Sequence, residues 1–136
     1  MLVLSQSVYD EVVDHAREGS PDEACGILGG EFDAEESTAV RSHPTENAAS
    51  DPRTEYAVDP EEQFAVMNRI EDDGREVVGF YHSHPSGPSE PSPTDRARAT
   101  WEGYSYVIVV LDGTAPYVGS WRWTGERFRQ EIVAVQ

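Results

Sequence analysis

The chain has no lysine, a single cysteine and no long apolar run. One cysteine cannot close an internal disulfide, so the fold rests on its core and its hydrogen bonds. The longest apolar run, Tyr106 to Leu111, is six residues, far short of the roughly 20 that span a bilayer as a helix. The amino terminus has neither the basic start nor the apolar stretch of a secretory leader. A soluble, cytoplasmic protein with no membrane partner is expected. Basic charge is also scarce: ten residues, all arginine, face 26 Asp and Glu, a formal net charge of -16. Nucleic-acid backbones are held by clustered Lys and Arg that displace counterions, so nucleic acid is excluded as a partner. A basic protein tail is compatible.

An acidic excess of this size is also found in disordered chains. Here 38% hydrophobic residues, three tryptophans and periodic apolar segments argue for a packed core. A surface suited to high salt accounts for both features, because at molar ionic strength the screening length falls to about 3 Å and self-repulsion largely disappears. The missing lysines fit either an enzyme that must not offer lysine for modification or a drift toward arginine in a GC-rich genome. The length, 136 residues, suits one domain that buries roughly two thirds of its unfolded surface.

Periodicity predicts a short strand at Leu2 to Leu4, then a helix to about Glu18 with Ser7 and Asp10 as capping box and Val8, Val12, Val13 and Ala16 inward. Cys25 to Phe32 and Thr38 to His43 read as a hairpin, and Gly29-Gly30 as a turn or close backbone approach. A polar loop over 44–54 leads to a short strand at Glu55 to Val58. Asp59 caps a second helix with Pro60 first and Phe64, Met67 and Ile70 on its inner face. A strand over Glu76 to Tyr81, a loop over 85–93 and a helix over Pro93 to Trp101 follow. Three strands come last, at Ser105 to Leu111, Ala115 to Trp121 and Arg127 to Val135. The fold class is α+β: one domain with a mainly antiparallel mixed sheet flanked by helices.

The segment Tyr81-His82-Ser83-His84-Pro85, continued to Ser92-Pro93-Thr94-Asp95, carries the chemistry. Alternate side chains of a strand share a face, so His82 and His84 can reach one ion. Zinc takes imidazole and carboxylate ligands, and a catalytic site uses three of them and leaves the fourth position to water. Two histidines and Asp95 meet that requirement. Ser92-Pro93-Thr94-Asp95 is equally a helix start, with Ser92 as N-cap and Pro93 at the first position.

His-x-His, seven residues, Ser, two residues, Asp resembles the signature of the JAMM (MPN+) metalloprotease family, whose architecture is cytidine-deaminase-like. The likeness extends to Pro21-Asp22-Glu23-Ala24-Cys25-Gly26, to Asn47 and to the helix opener Asp59-Pro60-Glu61-Glu62. It covers nearly the whole chain and looks most like the small prokaryotic and archaeal members that release ubiquitin-like modifiers. The resemblance implies one catalytic domain over residues 1–136 and one zinc ion on His82, His84 and Asp95 with water as fourth ligand. It further implies Glu23 as general base and Ser92 as oxyanion donor. The implied activity is isopeptidase cleavage after the carboxyl-terminal Gly-Gly of a ubiquitin-like modifier, at a lysine or an amino terminus.

Two other functions compete. A cysteine peptidase would use Cys25 with a histidine base, although Cys25 in an apolar strand reads better as a small core residue. A metal-stabilised module could hold a ubiquitin-like partner without cutting. His15 and His43 read as ordinary surface or hydrogen-bonded groups.

Overall fold

The computed structural model describes residues 1–113 and 115–136. Its elements, in chain order, are β1 (Leu2–Leu4), α1 (Gln6–Gly19), β2 (Cys25–Glu31), β3 (Ser37–Thr45), α2 (Pro60–Asp72), β4 (Glu76–His84), α3 (Pro93–Arg98), β5 (Ser105–Val110), β6 (Tyr117–Trp123), β7 (Phe128–Glu131) and β8 (Val133–Val135). The strands form one eight-stranded sheet in the order β7-β6-β5-β4-β2-β3-β1-β8. Four neighbouring pairs run antiparallel, while β1 with β3, β1 with β8 and β4 with β5 run parallel. The expected mixed α+β architecture holds.

Among the described residues three apolar clusters lie against the sheet; helices cover two of them, and Ile108, Val110 and Trp121 form the third. Val8, Val12, Val13 and Ala16 of α1 pack on Leu28, Val78, Tyr81, Val107 and Val109. Val66 and Ile70 of α2 pack with Ile27, Phe80, Tyr106 and Trp123. Consecutive residues of β2 and β5 thus serve opposite clusters, as the alternation of a doubly covered strand requires. In β4 the alternation is reset: Gly79 pairs with Leu28 but Val77 with Gly29, leaving Val78 as a bulge. Val77 and Phe80 therefore share the α2 cluster, and His82 and His84 continue on the Phe80 face.

Several local expectations are corrected. Ser5, not Ser7, caps α1, accepting from the Val8 N–H at 3.1 Å. Residues 55–58 form no strand. Asp59 caps α2 as expected, accepting from the N–H groups of Glu61 and Glu62 at 3.1 and 3.2 Å. Phe64, however, is 68% exposed, and Val66 takes the inward position. Helix α3 stops at Arg98 rather than Trp101, and the strand expected from Ala115 begins at Tyr117. The expected last strand breaks at Ile132, so that β7 extends one end of the sheet and β8 the other. Gly30 marks a close approach, since a Cβ there would collide with the Thr38 carbonyl.

The sheet curls until its ends meet. Arg122 on β6 donates to the carbonyls of Asp33, Gly103 and Met1 and to Ser37 Oγ at 2.9–3.3 Å, and its Nε reaches Glu131 at 2.8 Å. Both charges are buried, and this network satisfies them.

Candidate metal centre

The last residues of β4 deliver His82 and His84, and the first turn of α3 delivers Asp95. His82 Nε2 and His84 Nε2 stand 3.1 Å apart, and each is 3.1 Å from Asp95 Oδ2. Glu23, two residues before β2, completes the group: one ligand atom each from Glu23, His82 and His84 lies within 4.8 Å of the others. The four residues are 6%, 1%, 4% and 8% exposed in the order Glu23, His82, His84, Asp95.

Their hydrogen bonds fix the chemistry. The Pro88 carbonyl can only accept, so His84 Nδ1, 2.8 Å away, bears a proton. In the neutral ring Nε2 is then the lone-pair nitrogen a cation would take, and without a cation a second proton on Nε2 donates to Asp95 Oδ2. Lone pairs and a carboxylate oxygen converging at 3.1 Å require positive charge between them, as a proton or a cation. Three ligands bound at zinc distances of about 2.0–2.1 Å in a tetrahedron stand about 3.3 Å apart, so the triangle has the dimensions of one face of such a site. A metal ion fits this donor set.

The titration behaviour agrees. Burial would raise the Asp95 carboxyl, but hydrogen bonds from His82 and His84 outweigh it and hold Asp95 well below the usual carboxylate range. Burial lowers His82. It also works against the charge on His84, yet the bonds to Asp95 and Pro88 leave that ring raised. Glu23 is pushed up to about 7, chiefly by burial and against the pull of His84. Its Oε1 has no hydrogen-bond partner, and a buried carboxylate oxygen in that condition points to a ligand or a proton to be handled.

Ser92 fulfils the helix-start reading without losing the other. Its Oγ accepts from the Asp95 N–H at 3.0 Å, and its own N–H donates to Asp95 Oδ2 at 2.9 Å. A hydroxyl that accepts here still has its proton to donate elsewhere.

Cys25 pairs across the sheet with His82 but makes no bond to a histidine. Its Sγ lies 3.4 Å from Thr45 Oγ1 and 3.6 Å from the Glu46 carbonyl. Burial raises the thiol, the reverse of what a nucleophile needs. His15 bonds through Nδ1 to the Tyr81 hydroxyl at 2.8 Å, and His43 sits on β3 opposite Ile27. Both stand outside the group.

Two further residues belong to the site: Tyr56, which sequence reasoning missed, and Asn47, which the family resemblance includes without giving it a role. Tyr56 stacks on His82, with ring centroids 4.3 Å apart and planes 22° apart. Asn47 donates from Nδ2 to the carbonyls of Glu23 and Glu55, both at 2.9 Å. The signal for Asn47 is the family resemblance; Tyr56, in a stretch expected to be a strand, carries none. Ser83 also contributes, accepting from the Ala24 N–H at 2.8 Å and fixing the residue after Glu23. Among the described residues, no helix is long and apolar enough to cross a membrane.

Comparison with known proteins agrees with this geometry. The profile of the prokaryotic homologs of the JAB domain matches residues 5–124. A desampylase of Haloferax volcanii is 45% identical over 139 residues, covering 99% of this chain and 96% of its own. A probable TtuB-protein conjugate cleaving protease of Thermus thermophilus is 30% identical over 118 residues, covering 87% and 76%. Among solved structures, one from Desulfitobacterium hafniense superposes with a TM-score of 0.90 at 30% identity, covering 100% of this chain and 93% of that one. A JAB1/MPN domain protein of Archaeoglobus fulgidus gives 0.62 at 20% identity, over 100% and 97%, and speaks for the fold alone. With most of its length matched by the profile and a relative 45% identical from end to end, the chain belongs to the prokaryotic JAB/MPN family.

Proposed function

We propose that this chain is a zinc-dependent isopeptidase, one JAMM/MPN+ catalytic domain over residues 1–136. It hydrolyses the bond between the carboxyl-terminal glycine of a ubiquitin-like modifier and a lysine or amino terminus of a target protein. The observation that carries the reading is the 3.1 Å triangle of His82, His84 and Asp95 with the unpartnered Glu23 oxygen in the same group. The substrate class is supported by the relatives, one named a desampylase and another named for cleaving TtuB-protein conjugates. The acidic, lysine-free composition supports action in a salt-rich cytoplasm.

In this reading His82, His84 and Asp95 hold the ion, which when bound supplies a Lewis acid that polarises a carbonyl and acidifies water. Glu23 takes a proton from the attacking water and returns it to the departing amine nitrogen, so that the C–N bond breaks as the amine becomes neutral. A carboxyl pushed by burial to about 7 can both accept and release a proton near neutral pH. Asp95, held far lower by its two histidines, stays ionised and cannot serve as that base. Ser92 keeps its lone pair on the Asp95 N–H and turns its O–H toward the carbonyl oxygen as negative charge builds. A diglycine tail has no side chains to exclude it from a centre this deeply buried.

The test is cleavage of a diglycine-to-lysine conjugate in molar potassium chloride, with and without chelator, followed by zinc add-back. Cleavage should stop with chelator and return with zinc. Cleavage that persists in chelator would remove the metal from the chemistry. Absence of cleavage by folded, zinc-loaded chain would favour a module that holds the modifier without cutting it.

A further inference from the structure

The two histidines of the centre are aimed by different means. His84 is fixed through Nδ1 by the Pro88 carbonyl. The Nδ1 of His82 is buried but has no hydrogen-bond partner. Metal-bound imidazoles are ordinarily oriented by a hydrogen bond from the nitrogen that does not ligate, and loss of that partner weakens metal binding. Without it, the tilt of the His82 ring must be set by packing.

What lies against that ring is Tyr56, nearly parallel at 4.3 Å. Tyr56 also lines a cavity of about 190 Å³ together with Asp95, Phe80, Trp101 and Tyr106, while His82 is not among its lining residues. The stretch around Tyr56 belongs to no strand, yet side chains pin it residue by residue. Arg98 Nη1 donates to the Tyr56 carbonyl at 3.1 Å, and Arg98 Nη2 pairs with Glu55 at 3.3 Å. Asn47 holds the Glu55 carbonyl at 2.9 Å and the Ala57 N–H at 3.2 Å. Arg98 lies on α3, the helix that carries Asp95. The tie therefore links the tyrosine over His82 to the element that presents Asp95.

We infer that Tyr56 is a positioning residue for the centre: by stacking, its ring sets the aim of His82 Nε2 in place of the hydrogen bond that His82 Nδ1 lacks. The inference rests on the assignment of His82, His84 and Asp95 as ligands. It requires a flat ring at position 56 and not a hydroxyl.

The test compares wild type, Tyr56→Phe and Tyr56→Leu by zinc affinity, measured in competition with a chromophoric chelator, and by the visible absorption of the cobalt(II) form, which reports ligand geometry. Tyr56→Phe should keep wild-type affinity and spectrum. Tyr56→Leu should lose about 10- to 100-fold in affinity, the range for removing an orienting partner, with an altered cobalt spectrum. If the leucine variant does not fold, Tyr56→Met, a flexible filler of apolar space, carries the same expectation. Wild-type affinity and spectrum in Tyr56→Leu would overturn the inference. Equal losses in Tyr56→Phe and Tyr56→Leu would overturn it in favour of the hydroxyl. Failure of the wild type itself to bind zinc would instead overturn the ligand assignment on which the inference stands.

Discussion

The side-chain amide of Asn47 donates to the Glu23 carbonyl at 2.9 Å, and the same group holds both neighbours of Tyr56 through the Glu55 carbonyl and the Ala57 N–H. One side chain thus fixes the backbone on two sides of the metal centre, at the residue that supplies the free carboxylate and at the segment that covers His82. Asn47→Ala should destabilise the protein by about 1–3 kcal/mol, the cost of leaving part-buried backbone groups unpaired. Asn47→Asp should be worse at neutral pH, because it turns an acceptor toward two carbonyls. Denaturant unfolding of the three proteins checks this, and an aspartate variant as stable as wild type would show that the amide donors are dispensable.

Glu23 and Asp95 are both buried carboxylates of the centre, but their surroundings predict different losses. Asp95 touches both histidines at 3.1 Å, whereas Glu23 has an oxygen with no partner. Glu23→Gln should retain one zinc per chain and lose hydrolysis by about 10²-fold or more. Asp95→Asn, His82→Ala and His84→Ala should lose both. Zinc content by elemental analysis, paired with conjugate cleavage, separates the cases. Loss of zinc from Glu23→Gln would make Glu23 a ligand, which its distance of less than 4.8 Å from the histidine nitrogens permits.

The sequence was most legible where one physical rule acts alone. Alternation in a strand placed His82 and His84 together, and the helix-start chemistry of Ser92-Pro93-Thr94-Asp95 put a carboxylate at the first turn of α3. It was least legible where long-range contacts overrule local pattern. The Val78 bulge that turns Phe80 toward α2 is a matter of register between β2 and β4, which neither strand encodes by itself. Glu55 to Val58 has the composition of a strand, yet its hydrogen bonds go to Asn47 and Arg98, residues 8 and 42 or more positions away. Phe64 stands six positions before Ile70, about 120° around the helix from it, whereas Val66, four positions before Ile70, keeps helical spacing and carries the apolar stripe of α2. The break at Ile132 depends on the two ends of the sheet meeting around Arg122, which no local signal announces.

Glu131 predicts a specific loss of stability in acid. Its carboxylate accepts from Ser105 and Ser120 at 2.8 Å and from Arg122 at 2.8 Å, and it lies 3.0 Å from the terminal amine of Met1. Burial alone would raise this carboxyl, but these bonds outweigh it and leave the group lowered. With the folded value below the unfolded one, the contribution is complete above the unfolded carboxylate value of about 4.3 and fades as pH falls through the folded one. Glu131→Gln leaves the Arg122 charge buried without its partner and should cost about 3–5 kcal/mol at pH 7. That gap from wild type should narrow at pH values below about 4. A gap that is constant with pH would mean that packing at this seam, and not the charge, is what the substitution removes.

Salt should stabilise the chain, and the end of α2 offers a local reading of why. Among the described residues, Glu55 and Glu131 pair with arginine or the terminal amine, leaving most of the 26 acidic groups to repel one another. Glu71 and Asp72 close α2, with Asp73 as its C-cap, where the helix dipole is already negative and carboxylates are unfavourable by about 0.3–1 kcal/mol each at low ionic strength. The melting temperature of wild type should therefore rise between 0.1 and about 2 M potassium chloride as screening shortens to a few ångströms. The double variant Glu71→Gln, Asp72→Asn should be more stable than wild type in dilute buffer and indistinguishable from it in molar salt. An advantage that persists in molar salt would point to helix propensity, which is insensitive to screening. No advantage at low salt would show that repulsion at this helix end does not limit stability.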